Sequence, residues 1–266
     1  MRAREDLALI EEAVREAGKI ARSYFGGSYK TWDQGKGDPV TEADLAVDKY
    51  LRETLTAARP DYGWLSEESV DDLRRLSTEF TFVVDPIDGT VAFLKNRPHF
   101  TICVALVCEH LPLVGVVFNP ISEECFTAIA GEGAMMNGAR IHTSDAAEVD
   151  HCRMLADRTM LAHPNWNNPP LTPWPPMEIE TRGSIAYRLA LVANGSFDAM
   201  LALSAKRDWD LAAGDLIVRE AGGIVTTHTG AQMRYNGEQT LQPSVVAAGA
   251  GLHPLLIDRV RNIPRG

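Results

Sequence analysis

Little in this 266-residue sequence suits the extracellular space, a membrane or a polyanionic partner. Cysteine is scarce. Cys103, Cys108, Cys125 and Cys152 have no C-x-x-C spacing and are too few for a disulfide framework, so they are expected as reduced packing thiols. No stretch approaches the ~20 apolar residues of a membrane span. The opening MRAREDLALIEEA mixes charges where a signal peptide needs an apolar core, so the expectation is a cytoplasmic protein with no membrane contact. Positive charge is in deficit, with 26 Lys and Arg against 36 Asp and Glu and a net charge of −10. That balance argues against coating a nucleic-acid polymer, while leaving room for a local basic pocket. Repeats, low-complexity tracts and serine or cysteine nucleophile motifs are absent as well. What is present is ordinary globular composition, 45% hydrophobic and 23% charged, enough to bury a core in one large domain or two tightly joined halves.

Apolar residues at three- and four-residue spacing, including Ile10, Ala13, Val14, Ala17 and Ala21, predict an amphipathic helix over 5–25, ended by Gly26-Gly27. A glycine-rich loop, DQGKGDP, precedes a second helix from Thr41, with Ala43, Val47, Leu51 and Leu55 one turn apart. The period then changes. Segments 80–85, 99–107, 113–118 and 125–130 read as antiparallel strands, and Asn137-Gly138 as a hairpin turn. HPNWNNPPLTPWPP, residues 163–176, reads as an irregular surface segment and a candidate subunit contact. Beyond it, helix 184–194, strand 197–203, helix 210–221 and strand 224–227 alternate in α/β fashion. The expected organisation is an α+β half over 1–145 and an α/β half over 146–266, forming one compact catalytic unit.

The chemistry concentrates in VVDPIDGT, residues 83–90. Pro86 biases Asp85 toward an extended backbone and removes a donor, while Gly89 permits a tight turn, so both carboxylates can converge just past a strand end. Two carboxylates within a few ångströms repel unless a cation lies between them. A lone D-x-x-D is equally an Asx turn. Upstream stand Glu67 and Glu68 in LSEES, and downstream Asp208 and Asp210 in DWDLAAGD. Asp210 as a helix cap, and Asp44 in a capping box with Thr41, have bland explanations one at a time. A second SEE, at 122–124, reads as a solvated loop.

Together these residues resemble the inositol monophosphatase family of metal-dependent phosphatases. The resemblance rests on DPIDGT at 85–90, SEE at 66–68, WDLAAGDLIVREAGG at 209–223 and D-x-V-T-x-x-D from Asp38 to Asp44. GEGAMMNG at 131–138 and the Gly183-Ser184 pair opening a helix extend it over nearly the whole chain. It implies a layered αβαβα sandwich, and a homodimer. It implies two or three Mg²⁺ ions held by Glu67, Asp85, Asp88, Asp210 and the Ile87 carbonyl, a donor set suited to a hard cation. Glu67 and Thr90, the latter hydrogen-bonded to Asp44, would orient a metal-activated water for in-line attack on a phosphate monoester. Asp88, Gly89, Thr90, Gly183 and Ser184 would meet the substrate, with backbone N–H groups after Gly89 holding phosphate oxygens. Mg²⁺ activation and lithium inhibition follow from the resemblance alone.

The substrate reads less directly. Inositol-preferring members usually carry GEE where this chain has Ser66-Glu67-Glu68, and a ring-binding glutamate where it has Ala202 and Leu203. VAFLKNRPHFTICVAL after DPIDGT is more similar to the related 3'(2'),5'-bisphosphate nucleotidases, and Lys206 and Arg207 are candidates to meet a second phosphate. The expectation leans to a bisphosphate nucleotide over inositol monophosphate, with Asp208 the nearest candidate for a ring-binding acid. Histidinol-phosphate and sugar-phosphate phosphatases are alternatives in the same superfamily. A regulator that binds RNA polymerase or another partner without catalysis is the alternative of a different class.

Overall fold

The computed structural model describes residues 2–33, 35, 39–162 and 173–263. Two helices form the outermost layer, α1 (Arg2–Tyr24) and α2 (Glu42–Ala58). Each buries the stripe its periodicity announces, Ile10, Ala13, Val14, Ala17 and Ala21 on one and Ala43, Val47, Leu51 and Leu55 on the other. Thr41 caps α2 by accepting from the Ala43 and Asp44 amides, and Asp44 accepts the Thr41 amide in return, closing a capping box. A short antiparallel pair, β1 (Thr31–Asp33) with β2 (Pro39–Thr41), brackets the glycine-rich loop. Asp38 lies outside the described residues.

A seven-stranded sheet follows, in the order β3 (Gly63–Ser66), β4 (Phe80–Asp88), β5 (Thr101–Cys108), β6 (Leu111–Asn119), β7 (Glu124–Ile129), β8 (Gly133–Met136), β9 (Ala139–Arg140). All pairs are antiparallel except β3 with β4. The expected strands are all present, and Asn137-Gly138 turns β8 into β9. Both faces of this sheet are buried, which is why its strands read as near-continuous apolar runs. Phe82, Val84, Ile102, Val104 and Leu106 pack under α1 and α2, while Val83, Cys103, Ala105 and Val107 face the other way.

That second face meets α5 (Ile185–Ala193) and α6 (Asp208–Glu220), which in turn cover a five-stranded sheet. Its order is β11 (Glu178–Glu180), β10 (Arg153–Ala156), β12 (Ala199–Ala202), β16 (Val245–Gly249), β14 (Gly223–Thr226). Every residue of α5 is buried, as a helix between two sheets requires. The far face of this sheet, with Met154, Leu201 and Val246, packs against α7 (His253–Val260) through Leu252, Leu256 and Ile257. The layers therefore run helix, sheet, helix, sheet, helix, the expected αβαβα sandwich. Two short helices, α3 (Thr90–Leu94) and α4 (Arg158–Leu161), and the strand pair β13 (Lys206–Arg207) with β15 (Leu241–Gln242) complete the description. Of the proline-rich segment only 173–176 is described, with Trp174 packed beside α7 under the Arg259 guanidinium.

Candidate active site

The two aspartates of DPIDGT converge because β4 carries a bulge. Asp85 pairs with Cys103 and Asp88 with Thr101, so three steps along β4 oppose two along β5. Residues three apart in a regular strand point to opposite faces; the extra residue brings both carboxylates to the face that Cys103 and Thr101 share. Pro86 has no amide to lose from the ladder and fits the bulge. Gly89 then turns the chain at φ 101°, where a side chain would also press on the Ser184 amide and the His99 carbonyl.

Asp210, on the first turn of α6, reaches the same place. One carboxylate oxygen from each of Asp85, Asp88 and Asp210 lies within 4.8 Å of the others. They line a cavity of about 170 Å³ together with Glu67, Ile87, Gly89, Thr90 and Gly183. Burial, then Glu67, Asp88 and Asp210, pushes Asp85 far above the usual carboxylate range. Burial and Asp88 push Asp210 up to about 7. Burial raises Asp88 too, against the hydrogen bonds from Ser184 Oγ (2.6 Å) and from the Ala186 (2.6 Å) and Ile185 (3.1 Å) amides. These donors belong to the start of α5, so that helix fixes the orientation of Asp88. Asp85 Oδ1 is buried with no hydrogen-bond partner. Acids that raise one another, with an orphaned oxygen among them, fit a divalent cation, and an all-oxygen donor set fits Mg²⁺.

The other residues singled out by the motifs lie around this cluster. Thr90 Oγ1 lies 3.2 Å from Asp44 Oδ1 and 3.1 Å from the Ile87 carbonyl, so its hydroxyl is tied to Asp44 beside the cluster. Asp44 is itself held by the Thr41 amide (2.8 Å) and hydroxyl. Glu67 follows β3, its amide donating to the Val84 carbonyl (3.3 Å), which sets it beside Asp85. Gly183 abuts Ala92, where a Cβ would come within 2.6 Å of the alanine methyl, so only glycine lets α3 and α5 approach this closely. Ser184 also contacts Thr101 Oγ1 at 2.9 Å, a second support that the motifs do not reveal.

Lys206 and Arg207 separate. Lys206 is half-buried with Asp210 and Asp88 in electrostatic range, whereas the Arg207 guanidinium lies over Trp209 and donates to Thr240 Oγ1. Asp208 is fully buried, accepting from the Asn236 amide and Gln242 Nε2, both at 2.8 Å, so it offers no ring-binding acid. Ala202 and Leu203 pack into core clusters. Arg188, on α5, went unread in the motifs; its signal is a single cation at the centre of IAYRLALVA.

A sequence profile of the inositol monophosphatase family matches residues 3–265, and the chain belongs to that family. Nus factor SuhB of Escherichia coli (strain K12) is 33% identical over 231 residues, covering 84% of this chain and 85% of its own length. An inositol monophosphatase of Mesembryanthemum crystallinum is 32% identical over 233 residues, covering 84% and 86%. Among solved structures, the Thermotoga maritima IMPase superposes with a TM-score of 0.83 at 26% identity, covering 98% of this chain and 97% of that one. The extragenic suppressor protein suhB from Bartonella henselae also gives 0.83, at 29% identity, covering 96% and 98%. No helix among the described residues is long and apolar enough to cross a membrane.

Proposed function

We propose that this chain is a Mg²⁺-dependent phosphomonoesterase acting on a small phosphate ester. The observation that carries the reading is the convergence of the buried Asp85 and Asp88 with the half-buried Asp210 around an unpartnered carboxylate oxygen. Asp85, Asp88, Asp210, Glu67 and the Ile87 carbonyl would hold the metal. When bound, Mg²⁺ supplies neutralisation of the phosphoryl dianion and of the developing leaving-group charge, and a lowered pKa for water at the site.

The protein's own groups do the rest. Thr90, fixed by Asp44 and the Ile87 carbonyl, presents its free lone pair to an attacking water, and Glu67 takes that water's proton. The start of α5 keeps Asp88 in place while Gly89 and Gly183 clear room for the phosphoryl group. Neither Ala202, Leu203 nor Asp208 offers inositol hydroxyls a partner, which favours a bisphosphate nucleotide over inositol monophosphate. Phosphate release from adenosine 3',5'-bisphosphate, inositol 1-phosphate, histidinol phosphate and fructose 1,6-bisphosphate, with Mg²⁺ or with EDTA, tests the reading. Mg²⁺-dependent release from at least one ester is expected; release that EDTA leaves untouched overturns it.

A second reading, regulation by partner binding, draws on relatives named Nus factor SuhB. It predicts that Asp85→Asn keeps the cellular role while any phosphatase activity is lost. Loss of both together returns the role to the catalytic site.

A further inference from the structure

One buried carboxylate near the site is not accounted for by the chemistry above. Asp48 stands one turn after Asp44 on α2 and is 7% exposed, so the two acids share a face of the helix. Among the described residues no cation is in ion-pair contact with Asp48. Two hydroxyls hold it instead, Ser66 Oγ on Oδ1 (2.5 Å) and Ser69 Oγ on Oδ2 (2.9 Å). These serines bracket the Glu67-Glu68 pair. Ser69 Oγ accepts in turn from the Trp64 indole N–H (3.2 Å) and Ser66 Oγ from the Glu68 amide (3.4 Å), so both hydroxyl protons are committed to Asp48.

A buried carboxylate is costly unless its hydrogen bonds are made, and both donors here come from one short loop. That loop is also tied to the sheet where β3 leaves β4, through the Glu67 amide on the Val84 carbonyl (3.3 Å). One helix therefore references both groups assigned to the attacking water. Asp44 fixes Thr90, and Asp48, about 6 Å further along the axis, fixes the serines on either side of Glu67. A glycine in place of Ser66, as inositol-preferring members usually carry, has no hydroxyl for the first of these bonds. Glu67 lines the cavity, whereas Asp48, Ser66 and Ser69 stand behind it, so they reach the chemistry through Glu67.

We propose that Asp48 is a positioning residue for Glu67, acting through Ser66 and Ser69. The proposal rests on the phosphomonoesterase reading and extends its machinery to a side chain outside the cavity. Without this latch the loop keeps its path but not its fixed angle, and misplacing a reacting group by about 1 Å costs up to about a hundredfold in rate.

The test compares the wild type with Asp48→Ala, Asp48→Asn, the double change Ser66→Ala with Ser69→Ala, and Tyr62→Phe. The ester is whichever of the four named above the wild type hydrolyses fastest. At saturating Mg²⁺, kcat falls about ten- to a hundredfold in Asp48→Ala and in the double serine variant, the usual cost of an outer support, while KM moves less than about threefold. The Mg²⁺ concentration giving half the rise in melting temperature, measured with no ester present, increases at least about fivefold in both. Asp48→Asn keeps one acceptor oxygen and recovers most of the rate. Adding the serine changes to Asp48→Ala costs little more than either alone, since all three residues form one latch. Tyr62→Phe removes a buried hydrogen bond to Asp6 (3.0 Å) in the same outer layer and lowers stability without moving kcat or the Mg²⁺ response. A folded Asp48→Ala with kcat within about threefold of the wild type, or an equal fall in Tyr62→Phe, overturns the proposal. Should Asp48→Ala fail to fold by circular dichroism, the double serine variant decides. If no ester is hydrolysed the phosphatase reading falls, and the Mg²⁺ titration alone judges the latch. A half-saturating concentration raised about fivefold still supports it; an absent or unaltered response overturns it.

Discussion

Asp208 and Asp210 stand two residues apart on the first turn of α6, about 200° around the helix axis. The chemistry on either side differs accordingly. Asp208 faces protein donors, the Asn236 amide and Gln242 Nε2, and Asn236 continues to Thr81 Oγ1 and the buried Arg75. Seven residues on, Asp215 accepts from Arg219 Nε (2.9 Å) and the Tyr235 hydroxyl (2.8 Å). Among the described residues Asp210 has one hydrogen-bond donor, the Arg207 amide, and otherwise faces Asp85 and Asp88. Asp208 and Asp215 are buried and Asp210 half-buried, and all three are raised above their ordinary range by desolvation. What separates a structural carboxylate from the proposed metal ligand is therefore the sign of its neighbours, and each kind should fail in its own way.

The largest effect should come from Asp210→Asn. An amide is a poorer metal ligand and cannot neutralise a divalent charge, so Mg²⁺-dependent phosphate release should drop at least about a hundredfold. The metal-free variant should melt no lower than the metal-free wild type, because one mutually repelling charge is gone. Mg²⁺ should raise the wild-type melting temperature but barely move the variant's. A variant keeping more than a tenth of wild-type activity at saturating Mg²⁺ would remove Asp210 from the metal site.

The two SEE triplets sharpen the same contrast. Glu67 lies against Asp85, whereas Glu123 sits on the surface at φ 59°, ion-paired with Arg22 at 2.9 Å. Glu67→Gln should cost activity on the scale of Asp210→Asn. Glu123→Gln should leave activity unchanged and move stability by about 0.5 kcal/mol or less, as exposed ion pairs do. Equal losses in the two would remove Glu67 from the proposed site.

How far this was legible in the sequence follows from what each feature depends on. Asp85, Asp88, Asp210, Glu67 and the Asp44–Thr90 pair sit in short motifs with turn chemistry of their own, so they could be found locally. The β4 bulge depends on its register with β5, which no local pattern encodes. Strands β10 and β16 were not read because RMLA and VVAAG are short apolar runs compatible with either period. Lys206 and Arg207 were read as a pair because β13 went unrecognised; adjacent strand residues point to opposite sides, so only one could face the pocket. Arg188 was hidden by its apolar neighbours, and its placement emerges only once α5 is seen packed between two sheets.

On the structural side of α6, Asp208→Ala should leave the buried Asn236 N–H without its acceptor and Gln242 Nε2 with only the Arg234 carbonyl. A cost of about 2–4 kcal/mol is expected, read as a lower urea midpoint at unchanged slope. The folded fraction should still melt higher with Mg²⁺, since Asp210, the proposed metal ligand on this helix, stands on its opposite face. A variant that unfolds like the wild type but no longer responds to Mg²⁺ would reverse the roles assigned to Asp208 and Asp210.

A smaller effect than that of Asp208→Ala isolates one hydrogen bond of that structural network. Tyr235 is fully buried, its hydroxyl donating to Asp215 Oδ2 and its amide to the His110 carbonyl at the β5–β6 turn (3.0 Å), so it joins α6 to the seven-stranded sheet. In Tyr235→Phe the ring still fills its place and the amide bond persists. Asp215 keeps Arg219 at 2.9 Å, so the carboxylate is weakened but not orphaned. The expected loss is therefore about 1–2 kcal/mol, below that of Asp208→Ala, where two hydrogen bonds go at once and the Asn236 N–H loses its acceptor. Mg²⁺-dependent activity of the folded protein should match the wild type, because no part of this network touches the acids at the pocket. A stability loss equal to that of Asp208→Ala would mean the network unravels as a unit from either end. A fall in activity without a fall in stability would mean that Asp215 and Tyr235 position Asp210 through the helix, and the two faces of α6 would no longer be separable.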